Sequence, residues 1–231
     1  MKKTLLTGLM FGLMGLAEPA SAEEPVNQDG VSLNFSLDAY SKYVSRGFVF
    51  SDKPVIQPLI SATYKNFSLI GFWNVDAGEM ETNETDLIID YTDSIGEELT
   101  LSAGYGVFAF FGENAFTTQE IYVQATLEEL LRPSLKLHYD FGEGNGIYSE
   151  FSLSHDFSFD KFGISASAIL AYNHNYFREG SGFSHLEFKI AMPIELTKNI
   201  SLCPKIAFLK ALDEEDFKDV IYYGAGLNIS I

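Results

Sequence analysis

The chain has 231 residues, 46% of them hydrophobic and 14% aromatic, with 32 acidic against 15 basic side chains and a formal net charge of −17. So acidic a surface speaks against nucleic acid and anionic headgroups as partners, since both are held by clustered Lys and Arg. Cys203 is the single cysteine, which rules out an internal disulfide and with it a small stapled scaffold.

The first element is a leader. Met1, Lys2 and Lys3 are followed by an apolar stretch over 5–16, then Pro19 and the small-residue run Ala20-Ser21-Ala22. A basic start, an apolar core and an A-x-A site make a secretory signal, with cleavage expected between Ala22 and Glu23. The apolar stretch is shorter than the roughly 20 residues of a spanning helix. Residues 1–22 therefore read as a removed signal peptide, 23–30 as a short periplasmic segment and 31–231 as one domain.

Beyond the leader the longest uncharged stretches, 99–112 and 163–177, are dotted with Ser, Gly or Asn and are too short for helical spans. Because a bilayer leaves no backbone polar group unsatisfied, the remaining spanning solution is a closed β-barrel. Barrel strands alternate lipid-facing apolar with lumen-facing small or polar residues, and the chain does so repeatedly. Val31, Leu33, Phe35, Leu37 and Ala39 alternate with Ser32, Asn34, Ser36, Asp38 and Tyr40; Ile121, Val123, Ala125 and Leu127 alternate with Glu120, Tyr122, Gln124 and Thr126. The same repeat predicts strands over 31–44, 54–65, 67–76, 85–93, 97–109, 117–128, 134–141, 147–157, 162–174, 183–194, 199–210 and 220–231. The expected fold is all-β, a closed antiparallel transmembrane barrel of about twelve strands, with ten as the nearest alternative.

Connections alternate between short (65–66, 93–96, 157–161, 196–199) and long (46–53, 76–84, 110–116, 175–182, 211–219), as periplasmic turns and outer loops do. Pro58, Pro193 and Pro204 fall inside predicted strands although proline cannot donate to a ladder; Pro58, in mid-strand, calls for a bulge. Tyr64, Phe67, Tyr91, Phe157, Phe159 and Phe162 are expected in a girdle by the short turns. Phe48, Phe108, Phe110, Phe116, Tyr172 and Tyr176 are expected in another by the long loops, although aromatics are also simply good strand formers.

Strand parity turns Asp38, Lys42, Arg46, Asp86, Asp90, Glu120, Lys136, Asp140, Glu150, Glu187 and Lys189 toward the lumen, with Asp156 and Lys205 on the same rule. Arg46 is expected near the pore mouth, either paired with an inward carboxylate at a constriction or bracing the first long loop. The lumen is net negative, which favours cations.

Catalytic and metal constellations are sparse. Of the four His residues, only His174 with a nearby Ser is a candidate for acyl hydrolysis at the rim, and Gly180-Ser181-Gly182 is no nucleophile elbow. No His and Cys spacing suggests zinc, Asp213-Glu214-Glu215-Asp216 reads as a solvated loop, and no cofactor is expected.

The residues Tyr43-Val44-Ser45-Arg46-Gly47, then Ser51, Pro54 and Gln57, with Phe72-Trp73-Asn74-Val75-Asp76 further on, carry a resemblance to the TorF-like family of outer-membrane porins. The resemblance covers roughly 31–76, and departs from that pattern at Lys42, where an acidic residue is expected, and at Ile231, where many barrels end in an aromatic. It implies a Gram-negative outer-membrane channel for passive diffusion of small hydrophilic solutes, with the lipid bilayer and the barrel-assembly machinery as partners and no enzymatic activity. A barrel without transport function, structural or adhesive, is the alternative; a rim lipid hydrolase and a soluble periplasmic β-protein follow.

Overall fold

The computed structural model describes residues 30–231; the expected signal peptide, the expected Ala22–Glu23 cleavage site and residues 23–29 lie outside them. Every element described is a strand. In chain order they are β1 Val31–Tyr40, β2 Tyr43–Ser45, β3 Phe48–Ser51, β4 Val55–Tyr64, β5 Phe67–Asp76, β6 Thr82–Ile95, β7 Leu99–Phe110 and β8 Phe116–Leu127. Then follow β9 Ser134–Asp140, β10 Gly146–Ser158, β11 Gly163–His174, β12 Ser181–Ala191, β13 Ile194–Thr197, β14 Ile200–Ala211 and β15 Val220–Ser230.

Neighbouring wall strands pair antiparallel from β4 to β12, β14 joins β12 to β15, and β15 pairs with β1, which returns to β4. The sheet thus closes, leaving no edge with unpaired backbone. Strands β12 and β13 are one barrel strand interrupted at Met192–Pro193, and both pair with β14. The wall therefore has twelve strands, while β2 and β3 form a separate two-stranded sheet.

The period-two alternation is what builds the wall. Leu33, Phe35, Leu37, Leu69, Leu87, Ile89, Ile121, Val123, Phe188 and Ile190 are exposed on its outside, a continuous apolar belt of the kind only lipid or another apolar partner covers. The opposite residues face the lumen, which is layered. Toward the short turns it is lined by small neutral side chains that bond to one another, with Thr63 to Ser68 at 2.8 Å, Thr92 to Ser102 at 2.9 Å, Thr126 to Ser134 at 2.9 Å and Ser230 to Asn34 at 2.7 Å. Toward the long loops it is charged and aromatic, and on one side an apolar cluster of Ile70, Ile88, Phe108 and Tyr122 fills it. The two ends of the barrel meet at the turn side, where Leu33 and Ile231 exchange backbone bonds of 2.9 and 2.8 Å.

Several expectations need correction. The first strand ends at Tyr40 rather than running to 44, because the chain bends at Ser41 and Lys42 and turns away from the wall. Pro58 makes no bulge: β4 and β5 keep one register on either side of it. The ladder skips that step, and Gln57 Nε2 donates to Asn74 Oδ1 across the gap at 2.8 Å. Strand β6 starts at Thr82, not 85, which brings Glu84 into the wall on the inward parity of Asp86. Connection 128–133, long for a turn, folds back on β10 through Ser154 N–H to Leu131 O at 2.8 Å. The turn-side girdle holds, with Phe67 on Tyr91 and Phe159 on Phe162, but of the loop-side set only Tyr172 faces outward; Phe48, Phe108 and Tyr176 pack inside.

Candidate functional site

The segment between β1 and β4 folds into the barrel. Its entry is pinned to β15 by Ser41 N–H to Tyr223 O at 2.8 Å and by Tyr223 N–H to Ser41 Oγ at 3.1 Å. Strands β2 and β3 then form a hairpin in which Ser45 opposes Phe48. Its turn residues Arg46 and Gly47 have φ of 51° and 87°, the positive pair that a tight hairpin turn requires. At Gly47 a Cβ would lie 2.6 Å from His185 Nδ1 and 2.8 Å from the Phe217 ring, so glycine is needed for contact as well as for φ. Tyr43 and Val44 pack with Tyr40, Val55, Leu209 and Tyr222 of the wall, while Ser51 Oγ caps the return by accepting Lys53 N–H at 3.2 Å.

The hairpin tip reaches about halfway round the barrel to β8. Arg46 Nη1 and Nη2 donate to Glu120 Oε2 and Oε1 at 2.6 and 2.7 Å, a bidentate pair. Arg46 also donates to the Tyr176 hydroxyl, and its guanidinium lies 5.2, 5.6 and 5.9 Å from the ring centres of Tyr176, Tyr148 and Phe108. His138 Nδ1 stands 3.0 Å from Glu120 Oε1. Glu120 is four residues in from the loop-side end of β8, about 13 Å along the strand, so Arg46 sits well below the mouth.

Above this latch an aromatic collar joins the hairpin to the loops. Phe48 meets Phe217 at 5.0 Å, Phe50 stacks on Phe110 at 5.7 Å, and Phe110 stacks on Phe116 at 4.5 Å. Phe217 belongs to the loop 212–219, which is clasped to the loop 175–180 by Arg178, with Asp213 at 2.7 Å and Asp216 at 3.0 Å. Arg178, Lys210 and two backbone groups hold loop carboxylates below their usual range: Asp213 is lowered by its bond from Arg178 and by Glu215 N–H, and Asp219 by Lys210 and by Ala211 N–H.

The inward charges form pairs around the hairpin. Lys205 binds Asp38 at 2.7 Å, Lys189 binds Glu187 at 2.7 Å, and the Tyr222 hydroxyl donates to Glu187 at 2.5 Å. Tyr122 donates to Asp90, and Lys136, in register with Glu150, lies 4.4 Å from the Tyr122 ring centre. Asp140 accepts Thr118 Oγ1 at 2.6 Å and Gly142 N–H at 2.9 Å, which makes it a brace for its loop. Two carboxylates stand side by side: Glu84 and Asp86 interact with each other, and Glu84 with the Tyr43 hydroxyl, but both oxygens of Asp86, and Glu84 Oε2, are buried without a well-formed hydrogen bond. They line a cavity shared with Arg46, Tyr43, Phe108 and Tyr176 whose free space, ≈ 30 Å³, suits a water or two.

Three positions differ from their expected places. Lys42 lies in the half-buried bend outside any strand, Arg46 is on the hairpin rather than β1, and Asp156 is exposed at the turn end of β10, 3.9 Å from Arg132. Of the residues singled out by family resemblance, Tyr43, Arg46, Gly47 and Ser51 form the hairpin, Pro54 ends it and Gln57 bridges to β5. Sequence reading missed Glu84, although it shares parity with Asp86 and Asp90. At the outer rim His174 Nδ1 is 2.5 Å from Ser181 Oγ, both exposed on paired strands; among the described residues no carboxylate or amide hydrogen-bonds this pair to complete a triad. Nor do the described residues gather three or more His, Cys, Asp or Glu as metal ligands.

No family model and no curated protein matches the sequence. Solved structures do resemble the fold. The KdgM porin in complex with disordered oligogalacturonate superposes with a TM-score of 0.59 at 13% identity, covering 87% of this chain and 99% of that one. The NanC porin gives 0.56 at 13% identity over 87% and 99%, and an outer-membrane channel from Pseudomonas putida F1 gives 0.52 at 10% identity over 90% and 100%. The chain has the barrel fold of these outer-membrane channels.

Proposed function

We propose that the protein is a porin-like channel of a Gram-negative outer membrane that passes small hydrophilic solutes with a weak preference for cations, and that it is not an enzyme. The observation that carries this reading is the closed barrel with an apolar outside and a polar, charged inside, for which a membrane wall around a solute path is the natural use. Among the described residues eight carboxylates, Asp38, Glu84, Asp86, Asp90, Glu120, Asp140, Glu150 and Glu187, turn inward against Arg46, Lys136, Lys189 and Lys205. That excess supports cation preference, since a low-dielectric passage focuses the field of its lining charges. The signal peptide and the TorF-like resemblance, now concentrated in the inserted hairpin, support the location and the family. On this reading the inserted hairpin closes the lumen and its release opens it.

Planar-bilayer recording on the refolded barrel tests the proposal. Discrete openings with a reversal potential on the cation side of zero are expected in a salt gradient. The inserted hairpin also favours a second reading, a permanently closed structural barrel, and silence in wild type and in hairpin-release variants alike would establish that one instead.

A further inference from the structure

We infer that the wall pocket holding Arg46 is a binding site for small organic cations, and that Arg46 is its tethered occupant; this rests on the channel reading for its use but not for its chemistry. The wall supplies Glu120 as a two-oxygen acceptor matched to the planar pair of guanidinium N–H groups, a geometry an ammonium cannot reproduce. It adds the faces of Phe108, Tyr148 and Tyr176, which attract a desolvated cation through the ring quadrupole. All of these belong to β7, β8, β10 or the 175–180 loop, so the site stays in the wall when the hairpin leaves.

Glu84 and Asp86 give the second, independent observation. They line the same cavity with three buried oxygens that make no well-formed hydrogen bond, and two carboxylates side by side repel each other when ionised, so that they share either a proton or a cation. A hard metal ion is a poor candidate, because it needs six to eight oxygens and the rest of the lining is largely aromatic. A second ammonium group suits it better. The class of solute is therefore a compact cation bearing a guanidinium, best with an ammonium a few carbons away. Such a solute competes with Arg46 for Glu120, so its binding and hairpin release are linked.

The test is calorimetry on the refolded full barrel in detergent, with ethylguanidinium, its neutral isostere ethylurea, and agmatine as probes. Arg46→Ala should bind ethylguanidinium and not ethylurea, and adding Glu120→Gln should weaken that binding roughly ten- to hundred-fold, as loss of charge-assisted hydrogen bonds does. Adding Glu84→Gln and Asp86→Asn instead should weaken agmatine more than ethylguanidinium. Equal binding of ethylurea, no binding at all, or indifference to Glu120→Gln overturns the inference. If Arg46→Ala does not refold, a Ser45→Cys, Cys203→Ser protein should label faster with a thiol reagent as agmatine rises, and a flat rate overturns it equally. A variant that conducts without binding sinks the site and spares the channel; one that binds in a silent barrel does the reverse.

Discussion

Glu120→Gln is the substitution that isolates the latch. The paired side chains are 9% and 1% exposed, so solvent screening does little and the small value of a surface ion pair does not apply. Removing one partner of a buried pair costs about 3–5 kcal/mol, chiefly through the charge left behind. Here the guanidinium need not stay: the hairpin can withdraw to water, and the lost stabilisation becomes a shift in the docked-to-released ratio. At about 1.4 kcal/mol per factor of ten that shift is about a hundred- to a few-thousand-fold. Single-channel recording should show a matching rise in open time, and Ser45→Cys in a Cys203→Ser background should label correspondingly faster. Glu120→Asp, which keeps the charge, should fall between. A Gln variant as closed and as slow to label as wild type would mean that the aromatic collar holds the hairpin and the ion pair does not.

Gly47→Ala adds a left-handed backbone cost of about 1–2 kcal/mol to a clash with His185 and Phe217, so it should also release the hairpin; trypsin cleavage after Arg46 in the intact barrel should quicken. Asp86→Asn with Asp90→Asn should reduce the cation preference, read as a smaller reversal potential, whereas an unchanged value would assign selectivity to other charges. Acid should loosen the 212–219 loop: with Asp213, held by Arg178, and Asp219, held by Lys210, both depressed, their contribution is complete above the ordinary aspartate pKa and is lost as the pH falls through their lowered values. Conductance should therefore rise only below that range, and Asp213→Asn should show the rise already at neutral pH. For orientation, Met80→Cys in the exposed 77–81 loop should label on intact cells and Ile95→Cys at the turn side should not, both in the Cys203→Ser background; the opposite pattern inverts the barrel.

The wall was readable from the residues because lipid imposes a strict period of two, and Val31 to Tyr40 or Phe116 to Leu127 leave no competing period. Parity then placed Asp38, Asp86, Asp90 and Glu187 on the inner face. The hairpin was not readable, since Tyr43, Val44, Phe48 and Phe50 suit a continuing strand as well as an inserted one. Only Arg46-Gly47 signals a turn, and the same pair reads equally as a strand end. Parity also assigns a side but never a partner across the lumen, so an inward carboxylate for Arg46 was foreseen without Glu120 being identified. Glu84 falls outside the strand that the alternation predicts from 85, because the wall strand starts at Thr82.

The neutral, hydroxyl-lined half of the lumen has an electrical consequence. Small Ser and Thr side chains leave room for water on the turn side, while the hairpin and collar displace it near the loops. An applied voltage should then fall mainly across the hairpin-filled, loop-side part of the lumen rather than evenly along it, and Arg46 sits within that drop. A unit charge crossing the full potential changes energy by about 2.3 kcal/mol per 100 mV, comparable with the latch itself at a few hundred millivolts. A polarity that drives cations toward the loops should pull the hairpin out, and the opposite polarity should seat it, so the barrel should rectify.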